Sequence, residues 1–377
     1  MKILVTSLVD LKKSMHNRPH QFVKYLSKKH EISVISINDW WKGSQSDSIS
    51  YSKDFSDIFD KIDYHYLTYK KVTPIAQEVI FKKNLKKLVN RDFDAHLNYN
   101  TLVSGNYVSK RIPTVFDLAD DLDAMIRHSP QIPGVLRPIG AKIGDHFINS
   151  NIRQARKVTI TTEGLKESFK IPKEKAVIIP NGVDLELFRN YGDTKEELGI
   201  EGFVVGYVGV LREWVNLEPV FGALSKLNRE ICMVVVGKEG NFNGNVELSR
   251  KYGVSDRVKF IGTVPYNQVP KYISAMDVCL IPFKSNAISN SALPLKLFEY
   301  MACEKPVIST EMPGVRIVAG NKLLYAENDS DYEAQIMALY ENPKLRKDMG
   351  ASGRLLVEEN YEWKGIAETM ERLLKNL

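Results

Sequence analysis

The chain has 377 residues, 44% of them apolar and 26% charged, with 23 Gly, 16 Pro and a formal net charge of +6. That length gives room for two domains with cores of their own, and the composition is globular, which excludes a disordered or fibrous chain. No apolar run nears the roughly 18–20 residues of a membrane-spanning helix. The opening MKILVTSLVD reads as a buried strand, not as a signal peptide. Three scattered cysteines, Cys232, Cys279 and Cys303, make neither a disulfide framework nor a metal knuckle, which fits a reducing cytosol. The charge is uneven. Residues 1–180 carry 29 Lys and Arg against 19 Asp and Glu, and the remainder carries 23 against 27. The basic half is expected to face something acidic.

In chain order, the first half offers the strand-like runs KILVTS, EISVISI, YHYLTY, AHLNYN, TVFDLA and KVTITT. The second half offers FVVGYVGV, ICMVVVG, VKFIG, VCLIPF and KPVIST. They are short, β-branched and mostly lack polar alternation, as strands buried on both faces do. Amphipathic stretches lie between many of them: residues 22–29 place Phe22, Val23 and Leu26 on one face, 269–275 place Val269, Tyr272 and Ile273, and 295–302 place Leu297, Phe298 and Met301. Such alternation predicts right-handed βαβ units and doubly wound parallel sheets. The pattern restarts near Ala176, where AVIIPNGVDLELF leads through a polar stretch to a fresh glycine-rich strand. The expectation is α/β: two facing Rossmann-like domains, 1–175 and 176–360, with the active site in the cleft at the carboxyl ends of the strands.

Four segments carry chemistry. In SNAISNSALPLKLFEYMACEKP (residues 285–306), Pro294 opens a helix whose first amides, on Leu295 and Lys296, lie at its positive end. Lys296 adds a charge suited to a phosphate, and Glu299, three residues on, could accept two ribose hydroxyls. The same pattern also suits an ordinary helix start with an exposed ion pair. In GYVGVLREW (206–214), Gly209 ends a strand, where a glycine lets backbone approach a phosphate, and Arg212 could fork onto it. Lys238, in the following GKEGNFNG loop, is either a third cation or part of an exposed turn. In TVFDLADDLD (114–123), crowded carboxylates raise one another's pKa, so Asp120 or Asp121 could serve as a base, or the run is a helix cap with an acidic first turn. The loop carrying His16, Arg18 and His20 follows the first strand, where Arg18 and His20 could meet an anionic acceptor. No ligand cluster supports a metal.

These residues resemble the retaining nucleotide-sugar glycosyltransferases of the GT-B fold, the large group related to family 4. The carriers are IPNGVDLELF (179–188), GYVGVLREW, VKFIGTVPYNQVPKYISAMDVCLIPF (258–283), PLKLFEYMACEKPVIST (294–310) and the closing YEWKGIA (361–367). The resemblance implies a C-terminal domain that binds the nucleoside diphosphate sugar and an N-terminal domain that binds the acceptor, with the last helix, 361–377, crossing back. By position it gives Glu299 to the ribose. It gives Arg212, Lys296, Gly209 and the amides near Leu293 and Leu295 to the pyrophosphate, and backbone near Thr263 and Val264 to the base. Three positions depart from the pattern: Ser291 stands where a first glutamate is usual, Pro294 replaces a glycine, and Ala119 replaces a histidine beside Asp120.

The function so implied is a hexosyltransferase that moves a sugar from a UDP- or GDP-linked donor to an acceptor hydroxyl, with retention, in cell-envelope polysaccharide, glycolipid or glycoprotein synthesis. Asp120 or Asp121 acting as base would instead give inversion. No further cofactor is expected, since cations and a helix end can stabilise the leaving diphosphate. The expected partners are the nucleotide sugar and a glycan or lipid-linked acceptor, with no nucleic acid. Lys82, Lys83, Lys86 and Lys87, flanking Phe81 and Leu85, suggest peripheral contact with an anionic membrane from the cytoplasmic side. A sugar-nucleotide epimerase of the same fold and a non-catalytic partner subunit remain as alternatives. A nicotinamide dehydrogenase is disfavoured because no G-x-G-x-x-G follows either first strand.

Overall fold

The computed structural model describes residues 1–14, 16–40, 56–80, 82–89, 92–127 and 134–377. The chain forms two compact units, Met1–Pro180 with Lys364–Leu377, and Asn181–Trp363. The first holds a seven-stranded sheet ordered β3-β2-β1-β4-β5-β6-β7, and the second a six-stranded sheet ordered β10-β9-β8-β11-β12-β13. The strands are β1 (Lys2–Ser7), β2 (Glu31–Ser36), β3 (Asp63–Tyr66), β4 (Ala95–Tyr99), β5 (Thr114–Leu118), β6 (Lys157–Ile160), β7 (Ala176–Ile178), β8 (Phe203–Val208), β9 (Ile231–Val236), β10 (Val258–Gly262), β11 (Val278–Ile281), β12 (Val307–Ser309) and β13 (Leu324–Tyr325). Neighbouring strands pair in parallel throughout. Both sheets are therefore doubly wound, and both reverse order beside their first strand, where such folds bind ligands. Central strands are apolar because helices cover both faces: every residue of β8 is buried.

Each strand-like run expected from the sequence is a strand, and the helix over Leu295–Ala302 forms as its periodicity predicts. Two strands were not expected, β7 and β13. They have three and two residues and lie at sheet edges, too short to leave a periodic signal. The strand β7 also corrects the domain boundary. Ala176 pairs with Val158 of β6, so the stretch expected to begin the second domain is the last strand of the first sheet. The second unit begins at Asn181, whose side chain donates to the Leu293 carbonyl at 2.7 Å. The terminal helix Trp363–Lys375 contributes to the first unit from Lys364 onward. Its Glu371 accepts from Lys375 at 2.6 Å and from Lys29 at 3.0 Å and pairs with His30 at 3.1 Å, contacts that hold its carboxyl down at about 2.

The first unit is organised around Arg18, at the start of the helix Arg18–Leu26. Its guanidinium meets Asp117 of β5 through two bonds of 2.8 and 2.9 Å, and donates to the Pro180 carbonyl at 2.8 Å. Thr159 of β6 donates to the same carboxylate at 2.7 Å. Arg18 is 2% exposed and Asp117 fully buried. This corrects the expectation that Arg18 meets an acceptor, because its donors are spent on joining the first helix, two strands and the end of the unit. His20 is corrected too. It is buried, with Nε2 2.9 Å from the Leu11 carbonyl and Nδ1 3.2 Å from the Asn17 amide, so it completes the helix cap and shapes the loop. Removing one partner of a buried ion pair leaves an uncompensated charge. Asp117→Ala is therefore expected to lower unfolding free energy by about 3–5 kcal/mol in denaturant titrations, and a loss under about 1 kcal/mol would contradict the clamp.

Candidate active site

In the second unit, chemistry gathers at the carboxyl ends of β8, β9 and β10. Gly209 follows β8 at φ 134°, and Gly237 follows β9 at φ 133°. A side chain at 237 would begin 2.2 Å from the Gly209 carbonyl oxygen, so these two loops touch backbone to backbone. The Gly209 amide donates to the Val236 carbonyl at 2.9 Å, and the Gly237 amide to that of Gly262 at 2.7 Å. Only glycine combines these dihedral angles with so close an approach.

Against this floor stands the helix Leu295–Ala302. Pro294 is its N-cap, so the first helical amides are those of Leu295 and Lys296, which no helical carbonyl can satisfy. Tyr300, fully buried, pins the helix to β8 by accepting from the Val208 amide at 2.8 Å. That lock sets Lys296 over Gly209: a Cβ at 209 would lie 3.3 Å from Lys296 Nζ. The ammonium sits 5.2 Å from the Tyr207 ring centre and 5.1 Å from that of Phe283. Among the described residues no carboxylate lies within salt-bridge distance of it. Burial lowers the Lys296 pKa to about 8, against the attraction of Glu299. Glu299, one turn on, is buried, and its Oε1 accepts from the Tyr266 hydroxyl at 2.9 Å. Burial raises its pKa to about 6, against the hydrogen bond from Tyr266 and the charge of Lys296.

The remaining expected positions surround this pair or stand apart from it. Leu293 is buried just before the helix, with its carbonyl held by Asn181. Val264 is half-buried after β10, two residues before Tyr266, so the Thr263–Val264 backbone and Glu299 are joined through that tyrosine. Arg212 is exposed in the loop after β8, and its side chain forms no hydrogen bond or ion pair among the described residues. Lys238 is also exposed. Ser291 is buried and turns its hydroxyl onto the Ala287 and Ile288 carbonyls, at 3.0 and 3.1 Å.

Asp120 and Asp121 belong to the first unit, at the carboxyl end of β5. Asp121 caps the helix Leu122–Arg127, accepting from the Ala124 amide at 3.0 Å. Asp120 remains exposed and accepts from the Asn100 side chain at 3.0 Å, while Asn100 accepts from the Ala119 amide at 3.2 Å. Asn100 holds a φ of 56°, which asparagine tolerates better than most residues. Protein crowding around both aspartates raises their pKa values. Tyr266, Tyr300 and Asn100 were not expected from the sequence, since each acts on a residue 20 or more positions away.

The chain is similar to known proteins in fold and, over part of its length, in sequence. Residues 193–356 match the family model of glycosyl transferases group 1. Alr3699/HepE from Anabaena, solved in complex with UDP and glucose, aligns over 100% of both chains with a TM-score of 0.76 at 18% identity. The chain therefore has the GT-B fold, and the match to the group 1 family model falls within its second unit. It is 29% identical over 170 residues to the putative teichuronic acid biosynthesis glycosyltransferase TuaH of Bacillus subtilis, covering 43% of this chain and 42% of that one. It is 23% identical over 251 residues to a D-inositol 3-phosphate glycosyltransferase of Segniliparus rotundus, covering 62% and 54%. The chain thus spans about half the length of these curated relatives.

The two shifted groups set a pH window for any ligand that needs a charged Lys296 and an ionised Glu299. Affinity is expected to fall as pH drops through about 6, where Glu299 gains its proton, and as pH rises through about 8, where Lys296 loses its own. Calorimetric titration with UDP-glucose, whose diester phosphates do not titrate there, should show both flanks, each approaching about tenfold per pH unit. Affinity flat from pH 5 to pH 9, a span of roughly four units around both values, would contradict the assignment.

Proposed function

We propose that the protein is a hexosyltransferase that moves a sugar from a nucleoside diphosphate sugar to a hydroxyl of a glycan or lipid-linked acceptor. The donor is held in the second unit and the acceptor by the first. The carrying observation is the pair on one helix turn: a half-buried ammonium with no carboxylate at salt-bridge distance among the described residues, and a carboxylate aimed by Tyr266. A diphosphate supplies the anion that Lys296 lacks, joined by Arg212, the Leu295 and Lys296 amides and the open backbone at Gly209. Glu299 accepts from the ribose hydroxyls, and backbone at Leu293 and Val264 lines the remainder of the nucleotide. When the anomeric C–O bond breaks, its electron pair passes to the leaving diphosphate, and these cations and amides meet the charge that develops there.

The donor is a UDP- or GDP-sugar, and the UDP in the Alr3699/HepE structure makes uridine the first base to test. Transfer proceeds with retention, the stereochemistry of the enzymes the sequence resembles. A second reading is supported by the exposed carboxylate of Asp120 and its raised pKa, which suit a base on the acceptor hydroxyl and would give inversion. The basic first half and the likeness to TuaH favour a role in cell-envelope glycan assembly, on the cytoplasmic side and peripheral to the membrane.

Thermal shift with UDP, GDP and their sugars tests the reading, because a ligand bound only by the folded state raises the melting temperature. UDP or GDP is expected to raise it in the wild type, and Glu299→Ala to abolish the shift and sugar transfer together. Transfer retained by Glu299→Ala would sink the site assignment. Conversion of the donor sugar with no acceptor present would favour the epimerase.

A further inference from the structure

The helix Pro74–Ile80 of the first unit is built inside out. Its polar residues face the protein: Gln77 is fully buried and Glu78 is 4% exposed. Gln77 exchanges bonds of 2.7 and 2.8 Å with the Asn38 backbone, beyond β2. Glu78 accepts from the Leu102, Val103 and Ser104 amides at 3.0, 2.9 and 3.0 Å and from the Ser104 hydroxyl at 2.8 Å, capping the helix that follows β4. Its apolar residues face outward: Ile75 is 57% exposed, Val79 49% and Ile80 62%, and Tyr69 just before the helix is 75% exposed. A helix that only covered a sheet would present the opposite faces. Here the buried polar groups are satisfied, so the arrangement is anchored, and the outer apolar face is left with nothing from the described residues to cover it.

The charge along this stretch of chain is nearly all of one sign. Residues 67–91 contain seven Lys and Arg and a single acid, Glu78, which is the one turned inward. Lys71, Lys86 and Lys87 are exposed and form no ion pair among the described residues. An outward face of aliphatic side chains, in a stretch where these three lysines form no ion pair among the described residues and the one carboxylate is buried, fits the polar–apolar boundary of an anionic bilayer. The sequence pointed to the next helix, Lys82–Val89, for this contact. There Leu85 is fully buried and cannot insert, Phe81 lies outside the described residues, and the side chains of Lys82 and Lys83 are likewise not described.

We propose that Tyr69, Ile75, Val79 and Ile80 insert into the surface of an anionic lipid bilayer while Lys71, Lys86 and Lys87 contact its headgroups. Because Gln77 and Glu78 tie this helix to loops at the carboxyl ends of β2 and β4, docking brings the lipid surface to the end of the first sheet where a lipid-linked acceptor would be received. This last point rests on the function proposed above, but the docking itself does not.

Co-sedimentation of the full chain with vesicles tests it without any substrate. Binding is expected to phosphatidylcholine vesicles containing phosphatidylglycerol, to weaken with salt, and to be slight with phosphatidylcholine alone. The triple variant Ile75→Ser, Val79→Ser, Ile80→Ser should melt within a few degrees of wild type, because it alters only exposed side chains, yet bind anionic vesicles about tenfold more weakly. Lys86→Glu with Lys87→Glu should do likewise, through charge. Wild-type affinity in the triple variant, or no vesicle binding by the wild type, would overturn the proposal. So would a wild-type dimer that the triple variant turns into a monomer, since the face would then cover a second copy of this chain. Vesicle binding without sugar transfer would leave docking standing and count against the transferase reading alone.

Discussion

A half-buried ammonium is costly when, as at Lys296, no carboxylate among the described residues lies at salt-bridge distance, and the helix Leu295–Ala302 holds it there. Desolvation draws the Lys296 pKa down to about 8, and aromatic rings at 5.1 and 5.2 Å compensate only in part. On the proposed function, an anion arriving at the glycine floor relieves that cost. Gly209 leaves room for one beside Nζ, and the first amides of the helix Leu295–Ala302 offer their hydrogens nearby. Tyr300 and Tyr266 matter because they hold this geometry: one fixes the helix to β8, the other fixes Glu299 while its carboxyl is pushed up to about 6.

The first unit handles charge in the opposite way. Arg18 is more deeply buried than Lys296, but Asp117, Thr159 and the Pro180 carbonyl satisfy it within the fold. A cation satisfied in place binds the architecture together, whereas one left unsatisfied is available to a ligand. The same distinction separates the two aspartates. Asp121 is occupied as a helix cap, and Asp120, held from one side by Asn100, stays open to solvent. It also separates Glu78, consumed by three amides, from the exposed lysines around it.

How much of this was legible in the sequence follows from the range of each interaction. Buried parallel strands announce themselves in runs such as FVVGYV and ICMVVV, and the Lys296–Glu299 pair lies within one helix turn, so periodicity and spacing carried both. The strands β7 and β13 did not, because three or two residues have no period. Arg18 reads as an exposed loop cation until Asp117, 99 positions away, is seen to neutralise it. Tyr266 and Tyr300 act across 33 and 92 positions, and nothing local marks them. The inverted helix Pro74–Ile80 misleads in the other direction: its apolar residues look like core and are surface, and its Gln77 and Glu78 look like surface and are core.

The central claim is that Lys296 and its surroundings form a diphosphate site. Calorimetric titration of UDP and uridine against the wild type and Lys296→Met tests it most directly, because the two ligands differ only in the phosphates. The account predicts that UDP binds the wild type about a hundredfold more tightly than uridine does, and that the difference falls to about tenfold or less in Lys296→Met while uridine affinity is unchanged. Equal affinity of the wild type for uridine and UDP, or an undiminished preference for UDP in Lys296→Met, would contradict it.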